Sequence, residues 1–374
     1  MNSYELEFVG LIGQEVTEGG SQLGYFMKIL VIRLSSLGDL ILSTSGLKAL
    51  DHAHEVHWLV AGEFAGLLHG HPRVARVIPF SRRSEGLLSW IMLGIQLRRE
   101  GFDQVVDLHR TFRTLIFRLL FIGVNWRGIK KPRWRRWGLF IFKRYWPEGW
   151  GPRRWAENFS RVLSGSDAGK PDFRFLVSAS GGGSSEPSGY NLGSLESGRY
   201  YYAIMPDSAW SGKCWPVDSY LALAESLKGG VPVVLGTKKD QRAAFLLEQL
   251  DMRGLNYRDA RGLSWAQVAS CLAQCVFLVG NDTGLTHFAE AVGTPVVVIF
   301  GPTSPLLGFA PLGPMSRVVE SRVFCRPCSS DGRVCYWSGE KRYQCLTGVS
   351  VEQVRGVCLE VIRTAPGLLG VNLT

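Results

Sequence analysis

The chain has 374 residues, of which 46% are hydrophobic, 11% aromatic and 20% charged. These values are typical of a folded globular protein and exclude a wholly disordered chain or a coiled coil. Since one domain usually holds about 100 to 200 residues, we expect two domains.

The hydropathy pattern indicates a protein that does not cross a membrane. A spanning helix needs about 18 apolar residues, whereas the apolar run from Leu115 to Val124 is interrupted by Arg118. The first 26 residues carry four glutamates and neither Lys nor Arg, unlike the basic start of a secretory signal. We therefore expect a cytoplasmic protein.

The formal net charge of +10 favours an anionic partner, such as a phosphosugar, a nucleic acid or a membrane surface. Nearly all of the excess lies between Trp126 and Trp155, where ten basic residues and one acidic residue are interleaved with six tryptophans. Three interpretations stay open: contact with anionic lipid, with tryptophans at the headgroup level; a solvated basic face; and, least favoured, nucleic-acid binding by stacking.

Strands alternate with helices along most of the chain. A strand begins at Lys28, and the alternation predicts parallel sheets with helical crossovers. Residues 178–198 are rich in Gly and Ser and lack an apolar period, which is typical of a linker. We therefore predict an α/β protein with two Rossmann-like domains that face a cleft. The predicted boundaries are an extension over 1–26, a first domain over 27–177, the linker over 178–198 and a second domain over 199–374.

The first candidate site motif is the turn Ser35-Ser36-Leu37-Gly38-Asp39, directly after the first strand. Gly38 permits a tight turn, and the two serine hydroxyls would face the cleft. Asp39 lies at a helix start, where it could accept a proton or simply cap the helix.

The second motif, residues 280–287, reads Gly-Asn-Asp-Thr-Gly-Leu-Thr-His and again joins a strand to a helix. Asp282 or Thr283 would cap the helix, and Gly284 allows close approach to its first amides, which would hold a diphosphate. The alternative is an ordinary capped helix. His287 would either point into the cleft or pack under the helix.

Two further loops follow strands of the second domain. Lys213, in the segment 206–216, would neutralise phosphate charge or be solvent-exposed. Asp240 ends the segment 236–240, where a carboxylate could accept hydrogen bonds from a ribose diol.

Taken together, these motifs resemble the family-nine glycosyltransferases, the ADP-heptose lipopolysaccharide heptosyltransferases, from Met27 to about Leu359. The resemblance implies the two-domain GT-B fold, an ADP-sugar bound to the C-terminal domain, and inverting transfer without a catalytic metal. It also implies a lipopolysaccharide core or related acceptor, and contact of a cytoplasmic enzyme with the inner membrane. Residues 1–26 precede the usual start of the family. The segment from Trp126 to Trp155 contains more basic residues and more tryptophans than is expected of the family.

The resemblance also assigns roles to individual residues. They are Asp39 as general base; Lys213, Thr283, Gly284 and Leu285 for the diphosphate; Asp282 and His287 in the donor loop; Asp240 for the ribose; and Arg113 for the acceptor. From the two turn motifs themselves we add Thr286 to the donor site and Ser35 and Ser36 to the acceptor site.

Four of the eight cysteines are clustered as Cys325-x2-Cys328-x6-Cys335-x9-Cys345. Four thiolates could hold a structural zinc or iron ion in tetrahedral geometry, or they could be free thiols. The heptosyltransferases of autotransporter adhesins are similar in binding iron at such a cluster. A protein heptosyltransferase with a Cys-bound metal is therefore the first alternative function. A nicotinamide-dependent oxidoreductase is a lower alternative, because the chain lacks a G-x-G-x-x-G turn followed by an acid.

Overall fold

The computed structural model describes residues 26–81, 86–130, 133–143, 154–167, 169–178 and 189–365. The elements before residue 179 are β1 Lys28–Ile32, α1 Leu37–Ser43, β2 Glu55–Ala61, α2 Ala65–Leu68, β3 Arg76–Phe80, α3 Leu87–Arg99, β4 Gln104–Asp107, α4 Phe112–Leu120, β5 Asn125–Gly128, α5 Arg133–Phe142, α6 Trp155–Ser164 and α7 Phe175–Ser178. Residues Thr44–Ala49 and Gly62–Phe64 form 3₁₀ turns.

The first five strands form a parallel sheet in the order β3-β2-β1-β4-β5. The central strand β1 is buried on both faces of the sheet, because its alternate apolar side chains enter two different hydrophobic cores. One core contains α3 and α4, and the other contains α1, α2 and α6. Helices therefore cover both faces, as the continuous apolar strands require.

The elements after residue 189 are β6 Tyr200–Met205, α8 Val217–Ser226, β7 Gly230–Gly236, α9 Gln241–Met252, β8 Arg258–Arg261, α10 Trp265–Ala273, β9 Leu278–Asn281, α11 Gly284–Val292, β10 Val296–Phe300, β11 Arg317–Glu320, α12 Gln344–Thr347 and α13 Val351–Thr364. Short 3₁₀ turns lie at Ser211–Lys213, Pro305–Leu307 and Gly339–Lys341. The six strands form a second parallel sheet in the order β11-β10-β9-β6-β7-β8.

The predicted fold class is confirmed, since the chain contains two parallel sheets, each flanked by helices. The predicted domain boundaries stay predictions, because residues 1–25 of the extension and residues 179–188 of the linker lie outside the described residues. Among the residues that are described, no helix is both long and apolar enough to span a membrane.

The two sheet-containing halves of the chain are in contact where α1 crosses α11. A Cβ atom at Gly284 would lie 2.7 Å from the backbone nitrogen of Gly38 and from the Cβ of Leu37. A Cβ at Gly38 would lie 3.0 Å from Cδ2 of His287. The two helix starts therefore touch backbone to backbone, and only glycine fits at this crossing.

A buried histidine lies where the first sheet region meets the segment before α7. His71 contacts the rings of Phe173 and Phe175 edge-on, with centroids 6.1 and 5.0 Å away. Burial lowers the pKa of His71 to about 4. The backbone N–H of Arg73 donates to its Nδ1 at 3.1 Å, which requires that this nitrogen carry no proton.

We predict that this histidine makes the protein lose stability in mild acid. The unfolded chain binds a proton near pH 6.5 and the folded chain only near pH 4. Stability is therefore full above pH 6.5, and up to about 3 kcal/mol is lost as the pH falls through this window. In thermal melts from pH 7 to 4, His71→Phe should weaken this dependence, whereas the exposed control His69→Gln should not. An unchanged pH profile of His71→Phe would contradict the assignment. Some dependence should persist in every variant, because burial also lowers the pKa of His287.

Candidate active site

A cavity of about 600 Å³ lies between the two sheets, beyond the carboxyl ends of β1 and β9. Both helix starts that meet at the Gly38–Gly284 crossing border it. The predicted site residues that line it are Ser36, Asp39, Lys213, Asp240, Asp282, Thr283, Gly284, Leu285 and His287. Ser35 and Thr286 are not among the lining residues.

Asp39 enters the cavity from the first turn of α1. Its Oδ2 accepts a hydrogen bond from Ser36 Oγ at 3.0 Å and pairs with Arg33 Nη2 at 2.5 Å. The carboxylate is about one quarter exposed, so it is oriented by two partners and still open to the cavity.

Arg33 is a site residue that the sequence reasoning missed. Its guanidinium is almost fully buried, lies 5.2 Å from the ring of Phe159 and donates to the backbone oxygen of Leu108 at 2.5 Å. Burial lowers the pKa of Arg33, although the charges of Asp39 and Asp107 oppose that shift. A charged residue at the end of an apolar strand, two positions before the serine turn, was the available signal.

Lys213 and Asp282 form an ion pair on the opposite wall. Lys213 Nζ lies 2.6 Å from Asp282 Oδ2 and also donates to its backbone oxygen at 3.1 Å. The hydroxyl of Thr303, another residue that the sequence reasoning missed, donates to the same carboxylate oxygen at 2.8 Å. Because two of the three ammonium hydrogens are used, one is left for a ligand.

The loop that carries Lys213 is tied down by a buried asparagine. Asn281 is fully buried at the end of β9; its Oδ1 accepts from the backbone N–H of Trp215 at 2.8 Å and from the Tyr220 hydroxyl at 3.1 Å. Its Nδ2 donates to the backbone oxygen of Pro206 at 3.0 Å. All three partners come from the loop and the helix that surround Lys213, so Asn281 fixes the lysine relative to α11.

The first turn of α11 presents unpaired groups to the cavity. Thr283 precedes the helix without capping it, and its Oγ1 is buried with no hydrogen-bond partner among the described residues. The first amides of a helix lack partners within it and favour anions. Thr286 is buried and donates to the backbone oxygen of Thr283 at 2.6 Å, so it shapes the turn from behind.

His287 and Gly284 connect the two walls. His287 is buried and also borders the cavity, which combines the two orientations considered from sequence. Burial lowers the pKa of His287. The space that a side chain at Gly284 would fill is occupied by Leu37 and Gly38. Because Gly284 has no side chain, the start of α1 can pack against it, and Gly284 also borders the cavity.

Two aspartates lie at the far end of the cavity. Asp240 accepts from the Thr237 backbone N–H and hydroxyl, both at 2.7 Å, which fixes its carboxylate at the start of α9. Asp207, which the sequence reasoning did not select, accepts from the Ala243 N–H at 2.8 Å. Burial raises the pKa of Asp207.

Arg113 lies apart from these residues. It lines a second, open cavity with His109 and Phe112, at the carboxyl ends of the first sheet. Its Nη1 is buried and has no hydrogen-bond partner within the described part of the chain. The predicted acceptor residue Arg113 therefore borders a different cavity from Asp39.

The predicted metal ligands lie near one another. Burial and the neighbouring Cys325 and Cys335 thiols raise the pKa of Cys328 to about 11. Burial, then Cys328 and the same two thiols, raise the pKa of Cys345 to about 12. However, the described residues contain no group of three or more His, Cys, Asp or Glu side chains arranged as metal ligands. As placed, the four thiols do not form a ligand set, and the metal stays a prediction.

Comparison with known proteins shows which enzymes this chain is similar to. The family model for glycosyltransferase family 9 (heptosyltransferase) matches residues 154–335. Lipopolysaccharide heptosyltransferase 1 of Pseudomonas aeruginosa is 27% identical over 326 residues, which cover 81% of this chain and 86% of the relative. Lipopolysaccharide heptosyltransferase 2 of Escherichia coli K12 is 28% identical over 318 residues, or 79% and 88% of the two chains. The resemblance to the heptosyltransferases of glycosyltransferase family 9 is therefore confirmed, and the chain is a glycosyltransferase.

Solved structures agree with the fold of this glycosyltransferase. Escherichia coli ADP-heptose lipopolysaccharide heptosyltransferase II matches with a TM-score of 0.64 at 23% identity, over 90% of this chain and 98% of that one. The dodecameric iron-containing heptosyltransferase TibC, in complex with ADP-D-β-D-heptose, matches with a TM-score of 0.55 at 14% identity, over 90% and 76%. The recognition made from the motifs is confirmed, and it favours a transferase over an oxidoreductase.

We predict that two substitutions weaken ADP binding for different reasons. Lys213→Ala removes a cation next to the start of α11 and should lower ADP affinity. It should also lower the melting temperature, because the largely buried Asp282 carboxylate loses its ammonium partner. Gly284→Val places a branched side chain against Leu37 and Gly38, so it should lower both the affinity and the melting temperature by a steric route. Calorimetry measures the affinity, and thermal melting shows that each variant is folded at the temperature of the titration. Lys239→Ala, outside the cavity, is the control. Wild-type ADP affinity in both variants would rule out a diphosphate site at this helix start.

Proposed function

We propose that this glycosyltransferase transfers a heptose, with inversion, from an ADP-sugar to a lipopolysaccharide core or related acceptor. The observation that carries the proposal is the placement of Asp39 and the open start of α11 on opposite walls of one cavity. A base and an anion site that face each other across a cleft suit attack on a carbon whose leaving group is a diphosphate.

The donor site would lie on the second sheet. The diphosphate would accept hydrogen bonds from the first amides of α11, from the buried Thr283 hydroxyl and from the remaining N–H of Lys213. The carboxylate of Asp240 would accept hydrogen bonds from the ribose hydroxyls. These are the residues to which the sequence motifs assign the same roles.

The reaction needs one proton transfer and one bond exchange. Asp39 would take the proton of the acceptor hydroxyl while its oxygen attacks the anomeric carbon. The bond from that carbon to the diphosphate oxygen breaks, and its electron pair leaves with ADP. Arg33 and Ser36 orient the carboxylate, and Lys213 with the helix amides would stabilise the departing charge. No step requires a metal ion or a cofactor.

The acceptor would lie against the first sheet, and we propose that it is anionic. Arg113 offers a buried nitrogen with no partner among the described residues, in a cavity at the carboxyl ends of the strands. A buried donor without a partner costs about 1–3 kcal/mol, which a phosphate or carboxylate of the acceptor would recover. This favours a phosphorylated saccharide over a neutral protein side chain.

We predict that Asp39→Asn lowers turnover at least about 100-fold, because the amide keeps the shape but cannot accept the proton. Donor affinity should stay near that of the wild type. Ser36→Ala, which removes one orienting bond, should cost far less. Turnover would be followed by mass spectrometry with ADP-heptose and deep-rough lipopolysaccharide. Unchanged turnover of Asp39→Asn would refute its role as the base.

We also propose a structural zinc or iron ion at Cys325, Cys328, Cys335 and Cys345. The support is their number, their spacing and their mutual electrostatic influence. Their present arrangement is not a ligand set, so binding would require the loop between β11 and α12 to rearrange. Such an ion would stabilise the fold and take no part in transfer.

Elemental analysis of anaerobically purified protein tests the metal. About one equivalent of zinc or iron is expected. Cys328→Ser should lower both the metal content and the melting temperature. Cys358→Ala, at a buried thiol outside the cluster, should keep the metal. Wild-type protein without metal would leave the four residues as ordinary thiols.

Finally, we propose that the enzyme is cytoplasmic and peripheral to the inner membrane. The basic segment from Trp126 to Trp155 supports this, because Trp134 and Trp137 are 62% and 71% exposed on α5. Indole rings at such positions can anchor at the headgroup level. Residues 131–132 and 144–153, and the side chains of three arginines, Arg133, Arg135 and Arg136, lie outside the described part.

A further inference from the structure

The helices α3 and α4 form a layer on one face of the first sheet. Trp90 Nε1 donates to the backbone oxygen of Arg113 at 2.8 Å, and the Trp90 ring lies 4.4 Å from that of Phe117. One turn further along, Gly94 faces Phe117 and Leu120. The contacts advance in the same direction along both helices, so the helices run parallel and side by side.

The outward surface of this layer is apolar. On α4 and the turn after it, exposed apolar residues recur at intervals of three and four, which places them on one face. On α3, two more are separated by one turn. We define the α3–α4 face by these six side chains, which are 49–74% exposed: Leu88, Met92, Phe112, Leu115, Leu119 and Ile122.

A row of exposed apolar side chains is unusual on a helix that faces water. Solvated faces normally carry charged or polar residues, and large contiguous apolar patches mark interaction sites. The inward residues of the same helices, such as Trp90, Leu97 and Phe117, already supply the core. The outward row therefore has no role in packing against the sheet.

The charge around the face is positive. Arg98 and Arg99 end α3, Arg118 lies within α4, and neither helix contains an acidic residue. Arg99 borders the same surface groove as Leu88 and Met92. Arg118 is one turn from Leu115 and from Ile122, so cations flank both apolar rows.

The face begins at the second cavity. Phe112, the first residue of the α4 row, lines that cavity together with Arg113. The start of α4 is also the carboxyl edge of the first sheet, where ligands of such folds bind. If the α3–α4 face binds to a surface, the molecules of that surface would therefore lie close to Arg113.

We propose that the α3–α4 face docks on an anionic phospholipid bilayer. Its apolar side chains would enter the boundary between headgroups and acyl chains, while Arg99 and Arg118 would contact phosphates. The cations argue for this occupant, since a second copy of the chain would bring the same positive charge against them. The face is separate from the basic Trp-rich segment, and vesicle binding does not depend on which sugar is transferred.

Vesicle flotation of the full chain without substrates tests the proposal. Wild-type protein should float with vesicles of phosphatidylglycerol and phosphatidylethanolamine, less with phosphatidylcholine, and less as salt is raised. The variant Leu88→Gln, Met92→Gln, Leu115→Gln, Leu119→Gln should lower the bound fraction at least about tenfold.

Arg99→Gln with Arg118→Gln should lower binding to the anionic vesicles alone. Phe245→Gln with Met252→Gln, exposed apolar residues of α9, is the matched control and should float like the wild type.

The proposal has clear contrary outcomes. It is overturned by equal flotation of the wild type and the quadruple variant, or by a wild type that binds no vesicle. It is also overturned if only Arg133→Ser, Arg135→Ser, Arg136→Ser releases the protein, since the Trp-rich segment would then be the anchor. A concentration-dependent dimer that the quadruple variant abolishes would assign the face to a second copy. Unchanged melting temperatures show that the variants fold, and transfer to a water-soluble acceptor reports on the active site independently.

Discussion

The contact between Gly38 and Gly284 determines how the active site is assembled. Each glycine lies at the start of a helix that follows a central strand of its own sheet. Because neither carries a side chain, the two helix starts approach to backbone contact. Asp39 is the next residue after one glycine, and Thr283 immediately precedes the other. The proposed base and the proposed anion site are therefore held on opposite walls by one crossing of two helices.

Several carboxylates border the cavity, and ion pairs and hydrogen bonds offset the negative charge of most of them. An ADP-sugar is an anion, yet Asp39, Asp207, Asp240 and Asp282 all border the cavity, as does Asp331. The first four have partners: Arg33 for Asp39, the Lys213 ammonium for Asp282, and backbone or hydroxyl donors for the other two. With their charges offset in this way, the amides of α11 remain free for a diphosphate.

The hydrogen bonds are complete around the lysine loop and incomplete around Arg113. Asn281 holds the lysine loop through three buried hydrogen bonds, and buried networks with satisfied partners specify one arrangement. Arg113 has the opposite character, because its buried Nη1 lacks a partner in the described residues. The proposed donor side is thus organised before a ligand arrives, whereas the proposed acceptor side would gain a hydrogen bond from its ligand. The apolar α3–α4 face begins beside that incomplete site, which suits an acceptor presented at a surface.

The alternation of apolar strands and helices, together with the order of the motifs, was enough to predict two parallel sheets, the cleft and nine of the residues that line the cavity. This was achievable because strand burial and helix starts are local properties of the chain. Sequence could not identify Arg33 as the partner of Asp39, because the turn between β1 and α1 decides which side chains of the strand end and the helix start meet. Nor could it show that the space beside Gly284 is filled by Leu37 and Gly38, because that contact joins residues far apart in the sequence. It likewise could not separate Arg113 from Asp39 or show that the apolar residues of α4 face outward in a row. Helical periodicity gives the faces of a helix, but only the packing of α4 against the sheet and α3 decides which face is buried.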